Sequence, residues 1–370
     1  MQGRKITSSF LILLFTSSAA FCQTEVLKSV VNNLAFYKKK QDIKYLSNAK
    51  KSVDSLIKAS PDTNDVERNV YRAIVNSSIL YIDSLNKLKM PPSFLGQTTD
   101  LTDRLLSSRK IYRFEPEMNY VKECLANVYV RKAFVYVNNS DFVNALQLFR
   151  AAQRYAPQFK QVNAYIAYSN NKLGNLHEAA KYYAGLIDDS AKTDYVEAAS
   201  TIYKSVGDTV SALEVVKKGR KLLPNDRTLL LDEANIYNNK KDYNALAPLL
   251  PQLLDINQNN ADIAFVAANC YDHLNQYDKA ESLYLRAIEL NSSAFDPIFN
   301  LGLLYFKQSE IKQERSKEQN LARAVQWLEK ANEISPNDVN CLQVLQLAYT
   351  GTGNEDQIKR IENKLKQLTN

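Results

Sequence analysis

The stretch Gln276-Tyr277-Asp278-Lys279-Ala280-Glu281-Ser282-Leu283-Tyr284, running on to Leu290, decides the reading of this chain. After the turn comes a small residue, Ala280, then an aromatic four positions later, Tyr284, then a second small residue, Ala287. The stretch Asp141-Phe142-Val143-Asn144-Ala145-Leu146-Gln147-Leu148-Phe149 repeats that order, with Ala145, Phe149 and Ala152 in the same places. Small and large apolar residues at offsets of four and three lie on one helical face, so both stretches are read as helices with one packed side.

The pattern recurs along the chain. The position of Ala280 is filled in turn by Ala145, Ala179, Ala212, Leu246, Ala280, Ala324 and Ile358, with gaps of 34, 33, 34, 34, 44 and 34 residues. A preceding helix carries a second small position: Ala133, Ala167, Ser200, Ala234, Ala268, Gly302 and Gln346. Three residues on stand Tyr136, Asn170, Tyr203, Tyr237, Tyr271, Tyr305 and Tyr349. A helix pair repeating at this period resembles the tetratricopeptide repeat, whose unit is about 34 residues. Below, the first helix of each pair is called A and the second B. The resemblance implies an all-α, right-handed superhelical solenoid of helix-turn-helix repeats, with small residues where helices approach and tyrosines filling the gap to the next unit. The tryptophan usual near the start of helix A is absent; the only tryptophan, Trp327, falls in a helix B.

The resemblance covers residues 121–370 in about seven units. The 44-residue gap marks an insertion near 308–320, rich in Lys, Glu and Gln without Gly or Pro, which predicts a lengthened hairpin rather than a loop. Residues 23–120 read as divergent helical repeats, with a separate small helical domain as the alternative. There Ala49, Val53, Leu56 and Pro61 keep the helix B spacing, 65–89 reads as one long helix, Met90 to Thr99 as a loop, and Leu101–Phe114 as a further helix. The last helix is polar, as a terminal cap should be, with Lys359, Arg360, Glu362, Lys364 and Lys366.

Residues 1–22 carry the marks of a secretory signal. Arg4 and Lys5 precede the apolar run from Phe10 to Phe15, and Ser17, Ser18, Ala19 and Ala20 follow. Cleavage after Cys22 leaves Gln23 first; cleavage after Ala20 is the alternative. The expectation is an exported chain, periplasmic or envelope-associated in a Gram-negative bacterium, without a transmembrane segment. In style and in its Asn, Lys and Tyr content the chain is similar to exported repeat proteins of Bacteroidota-like bacteria.

Composition excludes several chemistries. Once the leader with Cys22 is removed, Cys124, Cys270 and Cys341 remain, odd in number and far apart, which is not a disulfide framework. With only His177 and His273 beside them, there is no metal-ligand cluster, and no phosphate loop or nucleophile motif occurs. The expectation is a non-enzymatic chain with no cofactor and no metal. Charge is uneven: residues 23–150 hold 20 basic and 13 acidic side chains, while 251–300 hold 2 and 7. A solvated helical surface explains this, and so does steering of a charged partner.

If the repeat resemblance holds, its A helices line a concave face. Transferring that register selects Phe134 and Asn138, then Tyr168, Asn171 and Lys172, then Glu197, Thr201 and Lys204. It continues with Leu231, Asn235, Asn238 and Asn239, then Asp262, Phe265, Asn269 and Asp272, then Asp296, Phe299, Leu303 and Phe306. Asparagine offers donor and acceptor to a peptide backbone, and aromatics hold apolar side chains. The alternative is that these aromatics simply pack between helices. The face lacks the lysines of a carboxylate clamp, with Val130 at one such place. The function so implied is a protein-interaction scaffold or adaptor gripping an extended or helical segment. One alternative is a periplasmic subunit of an outer-membrane secretion, assembly or uptake complex. Another is polyanion or nucleic-acid binding through the basic N-terminal third, against which export and the absence of dense basic clusters beyond Lys38-Lys39-Lys40 both weigh.

Overall fold

A computed structural model describes residues 25–59, 65–188, 192–311 and 314–369. The candidate leader and Pro61 lie outside the described residues. No strand occurs among the described residues; they fold as α-helices joined by short turns, so the all-α repeat reading holds. The chain divides into two compact units, Met1–Ser190 with Thr201–Gly207, and Ala191–Ser200 with Asp208–Asn370.

In the first unit, α1 (Glu25–Lys40) pairs with α2 (Lys44–Ala59). Helix α3 (Val66–Ile82) packs against both α4 (Phe94–Leu106) and the long α5 (Glu115–Asn138). The hairpins α5 with α6 (Phe142–Tyr155) and α7 (Lys160–Lys172) with α8 (Leu176–Leu186) follow. The core of this unit runs through Val121, Leu125, Ala133, Ala145, Phe149 and Ile166. Ala49, Val53 and Leu56 are buried, as their spacing requires.

Three sequence expectations fail here. The helix expected over Leu101–Phe114 ends at Leu106, and Ile111–Phe114 forms a separate 3-10 turn. The helix from 65 stops at Ile82 instead of 89, because the Asp83 carboxylate accepts the amides of Lys87 (2.8 Å) and Leu88 (2.7 Å) and folds the chain back. Residues 94–99 are helix rather than loop. Phe94 is buried, and the Thr98 and Thr102 hydroxyls donate to carbonyls four residues back (2.7 and 2.8 Å), so polar threonines sit inside the helix without orphaned groups.

In the second unit, part of α9 (Thr193–Ser205) precedes α10 (Thr209–Leu222), α11 (Arg227–Asn239), α12 (Tyr243–Leu246) and α13 (Leu250–Ile256). Then come α14 (Ala261–His273), α15 (Tyr277–Leu290), α16 (Phe295–Ile311), α17 (Glu314–Ile334), α18 (Val339–Thr352) and α19 (Glu355–Thr369). Pro248 and Pro251 explain why one B helix is split between α12 and α13: each lacks an amide and so interrupts the hydrogen-bond ladder. Helices α16 and α17, at 17 and 21 residues, surround the widened spacing.

The small positions are where helices meet. Ala145, Ala179, Ala212, Ala280 and Ala324 are fully buried in B helices, and Ala133, Ala167, Ser200 and Ala268 in A helices. Leu246 is buried too, while Ile358, in α19, is half-buried.

One backbone device recurs that residue type hides. The A–B turns pass through a left-handed residue at Ser140 (φ 59°), Gly174 (77°), Gly207 (79°), Lys241 (55°), Asn275 (58°) and Gly353 (72°). At five of these turns the next amide bonds back five residues: Asp141, Asn175, Asp242, Gln276 and Asn354 donate to the carbonyls of Tyr136, Asn170, Tyr237, Tyr271 and Tyr349 (2.8–3.0 Å). This is a Schellman closure, which satisfies carbonyls that the helix end would leave open. The tyrosine register is therefore also the turn register. Asn170, which replaces a tyrosine, is fully buried; its side chain donates to the Ile166 carbonyl (3.0 Å) and accepts from Asn175 (3.2 Å). Tyr136, by contrast, is 37% exposed, so in the first clear hairpin only the backbone half of the pattern operates.

The tyrosine hydroxyls of later units reach backwards rather than into the next unit. Tyr305 donates to Glu281 (2.7 Å) and Tyr349 to Glu329 (2.5 Å), each on the preceding B helix.

Candidate functional site

The candidate face of the second unit is built from the A helices α11, α14 and α16. Hydrogen bonds tie successive A helices together about one repeat apart. Ser200 donates to Asp232 (2.6 Å), Asn300 donates to Asn269 (2.9 Å), and Lys307 pairs with Asp272 (3.0 Å); Thr193 also donates to Asp226. Each rung joins a residue to one 31–35 positions later, so the two partners are not always in the same register.

These rungs change what two of the selected residues do. Asp272 is buried and its charge is answered by Lys307, so it presents no free acid. Asn269 is half-buried, and its Oδ1 accepts from both the Tyr284 hydroxyl (2.6 Å) and Asn300 Nδ2 (2.9 Å). Tyr284 is fully buried, and burial first, then the nearby Asp272 carboxylate, pushes its phenol well above the ordinary value. It stays a neutral donor and fixes the orientation of Asn269. The sequence reading missed Tyr284, Asn300 and Lys307 as members of this centre. The recurrence of polar residues roughly one period after Asn269 and Asp272 is the signal that points to them.

Around this centre, Asn235, Asn239, Asp262 and Asp296 are exposed, and Asn238 is half-buried. The aromatics are half-buried rather than free. Phe299 stacks on Phe295 (5.5 Å, 5° between planes), Phe265 lies 6.1 Å from the Tyr284 ring, and Phe265, Phe299 and Phe306 all pack on the unit's core. Leu231 is 39% exposed, and Leu303 is half-buried.

In the first unit the selected residues divide by role. Phe134 packs edge-on against Phe149 (5.6 Å) and Tyr165 (4.9 Å), so it is inter-helix packing. Tyr168 is 38% exposed, leans on Phe142 (5.9 Å) and has the Lys172 ammonium over its ring (5.6 Å), while Asn138 and Asn171 are exposed. On α9, Thr201 and Lys204 are exposed and Glu197 is half-buried.

Among the described residues no histidine or cysteine is paired for catalysis. His177 is exposed; His273 is exposed and stacks on Tyr243 (4.2 Å). Cys124, Cys270 and Cys341 are buried free thiols, and burial raises their pKa values to about 12, about 11 and about 12, which makes them poor nucleophiles. Among the described residues no group of three or more His, Cys, Asp or Glu is placed to hold a metal ion. Among them, too, no helix is long and apolar enough to cross a membrane.

Part of the chain matches a known family. Residues 261–293, spanning α14 and α15, match the family sequence model described as tetratricopeptide repeat. Among solved structures, a MamA protein is similar at 22% identity, over 48% of this chain and 91% of that one, with a TM-score of 0.43. YrrB, described as a TPR protein with an unusual peptide-binding site, is similar at 18% identity over 53% and 96%, with a TM-score of 0.43. A tetratricopeptide repeat protein from Parabacteroides merdae is similar at 17% identity over 66% and 99%, with a TM-score of 0.37. Residues 261–293 thus form a tetratricopeptide repeat, and helix pairs recur at the same spacing along the chain.

Proposed function

We propose that the chain is a non-enzymatic scaffold or adaptor of the cell envelope, whose second unit takes a segment of a partner protein against α11, α14 and α16. The observation that carries the reading is the Asn269–Asn300 pair. Among the described residues, the hydrogen bonds at this pair use Asn269 Oδ1 and Asn300 Nδ2. Asn269 Nδ2 and Asn300 Oδ1 are left as an adjacent donor and acceptor, the set that one peptide unit of an extended segment needs. Because Tyr284 and the rung hold both amides in place, binding orders little that is not already ordered. Exposed Asp262 and Asp296 flank the pair and favour a segment carrying Lys or Arg. The envelope location rests on the N-terminal pattern of a basic pair, an apolar run and small residues.

Site-specific photo-cross-linking in the native envelope tests this. A photoreactive side chain at Asn235 or Asp296, both exposed on A helices, should trap a defined partner protein. The same group at the exposed B-helix positions Lys217 or Ser282 should not. Equal trapping from both sets, or from neither, removes the reading.

A further inference from the structure

The turn between α1 and α2 carries a second, chemically different surface. Lys38, Lys39 and Lys40 close α1 and are exposed, and Lys44 opens α2 with its side chain 65% exposed. Over residues 25–59 the chain has eight lysines against Glu25, Asp42 and Asp54. Two of those acids are engaged locally, Asp42 with Lys44 (3.0 Å) and Asp54 with Lys50 (2.5 Å). Lysines at a helix C-terminus complement its dipole, and that alone would explain their position.

The dipole does not explain the rings. Phe36, one turn before the lysines, is 47% exposed and stacks on Tyr45 across the turn (5.5 Å, 29°). The Lys40 ammonium lies 6.0 Å from the Phe36 ring and 5.9 Å from Tyr45, and Lys44 lies 5.3 Å from Tyr45. A large exposed aromatic is thus held at the tip of a hairpin, with the Lys40 ammonium over its ring and Lys44 over the ring that supports it.

We infer that this tip is a docking point for an anionic membrane surface. The lysines would lie at the lipid phosphates, and Phe36, supported from behind by Tyr45, would enter the interface below them. Flat aromatics at headgroup depth and lysines that keep their charge in water while burying their stems are the residues such an interface accepts. A base-reading nucleic-acid site would need more polar groups between the rings, and the only uncharged polar side chain in the turn, Gln41, donates to the Lys38 carbonyl (2.9 Å). The inference is independent of the partner segment proposed for the second unit.

Vesicle co-sedimentation of the full chain tests it. Phosphatidylcholine vesicles with and without phosphatidylglycerol are the probes; the neutral ones control for the apolar stretch at residues 10–15. Binding should require phosphatidylglycerol and weaken with salt. Replacing Lys38, Lys39 and Lys40 together by Gln should weaken it on the order of a hundredfold, at about fivefold per lysine. Phe36→Ser should weaken it at least about tenfold, with the helical circular dichroism unchanged. Equal binding to neutral vesicles, or unchanged binding by the lysine variant, overturns the inference. So does a Phe36→Ser protein that binds as well as wild type and is displaced by soluble polyphosphate, because the tip would then be a site for dissolved polyanions.

Discussion

Gly302 sits at the small position of helix α16, where the register places alanine in four of the other units, and the structure says why alanine is too large here. A methyl group built on Gly302 would lie 2.8 Å from Leu328 Cγ, 3.0 Å from its Cδ2 and 3.1 Å from its backbone nitrogen. Ordinary carbon contacts are about 3.5–4.0 Å. Leu328 is fully buried, so its side chain has no open space to move into, and its backbone belongs to the long helix α17. Gly302→Ala gains about 1 kcal/mol of helix propensity. It also incurs overpacking of about 1–3 kcal/mol, here toward the upper end because backbone is involved. The expected net loss is about 1–2 kcal/mol. Gly185, in α8, is the control: it is exposed and nothing lies within 4 Å of the added methyl, so Gly185→Ala should stabilise by about 0.5–1 kcal/mol. Urea unfolding followed by circular dichroism measures both, and the fluorescence of Trp327, the chain's one tryptophan and the neighbour of Leu328, reports the first locally. With slopes of about 1–3 kcal/mol per molar, Gly302→Ala should lower the midpoint by roughly 0.5–1 M. A midpoint that stays or rises for Gly302→Ala would refute the claim that α16 and α17 touch through this glycine.

Two further outcomes are expected. Lys241→Gly should raise the thermal midpoint, by about 1 kcal/mol of stability, because an exposed lysine now holds a left-handed turn that Gly174 and Gly207 hold without strain; a lower midpoint would count against that closure. Tyr305, raised from 10 to about 12 first by burial and then by its bond to the Glu281 carboxylate, contributes stability that is full below pH 10 and is lost as pH climbs through 12; Glu281→Gln should move its phenolate absorbance to lower pH, and an unmoved titration would show that the bond is not made.

Much of the fold is legible in one dimension because tetratricopeptide units place small residues and tyrosines at fixed intervals. A helix pair cannot bury its apolar stripe alone, so Ala133, Ala167, Ala234 and Ala268 must recur where Phe149, Leu250 and Tyr284 recur. Periodicity records packing, and packing is what decides helices of this length. The turns were less visible, since Ser140, Lys241 and Asn275 take a left-handed conformation that the sequence shows openly only at the glycines. The N-terminal helices were misplaced for the same kind of reason: the Asp83 carboxylate and the threonines of α4 act through local hydrogen bonds, not through hydrophobic spacing. The candidate face was legible only as a list of positions. Sequence register puts Asn269, Asp272 and Phe299 side by side as equals. Tertiary structure alone gives Asp272 to Lys307, seats Phe299 on Phe295, and sets Asn269 between Tyr284 and Asn300, because helix crossing brings together residues 31 and 35 positions apart rather than 34. By itself, then, the sequence determined which side chains must be small or buried, since that is set by repeating contacts. Which polar groups are engaged and which face outward was decided only when neighbouring repeats met, since a hydrogen bond depends on distances of tenths of an ångström that no spacing encodes.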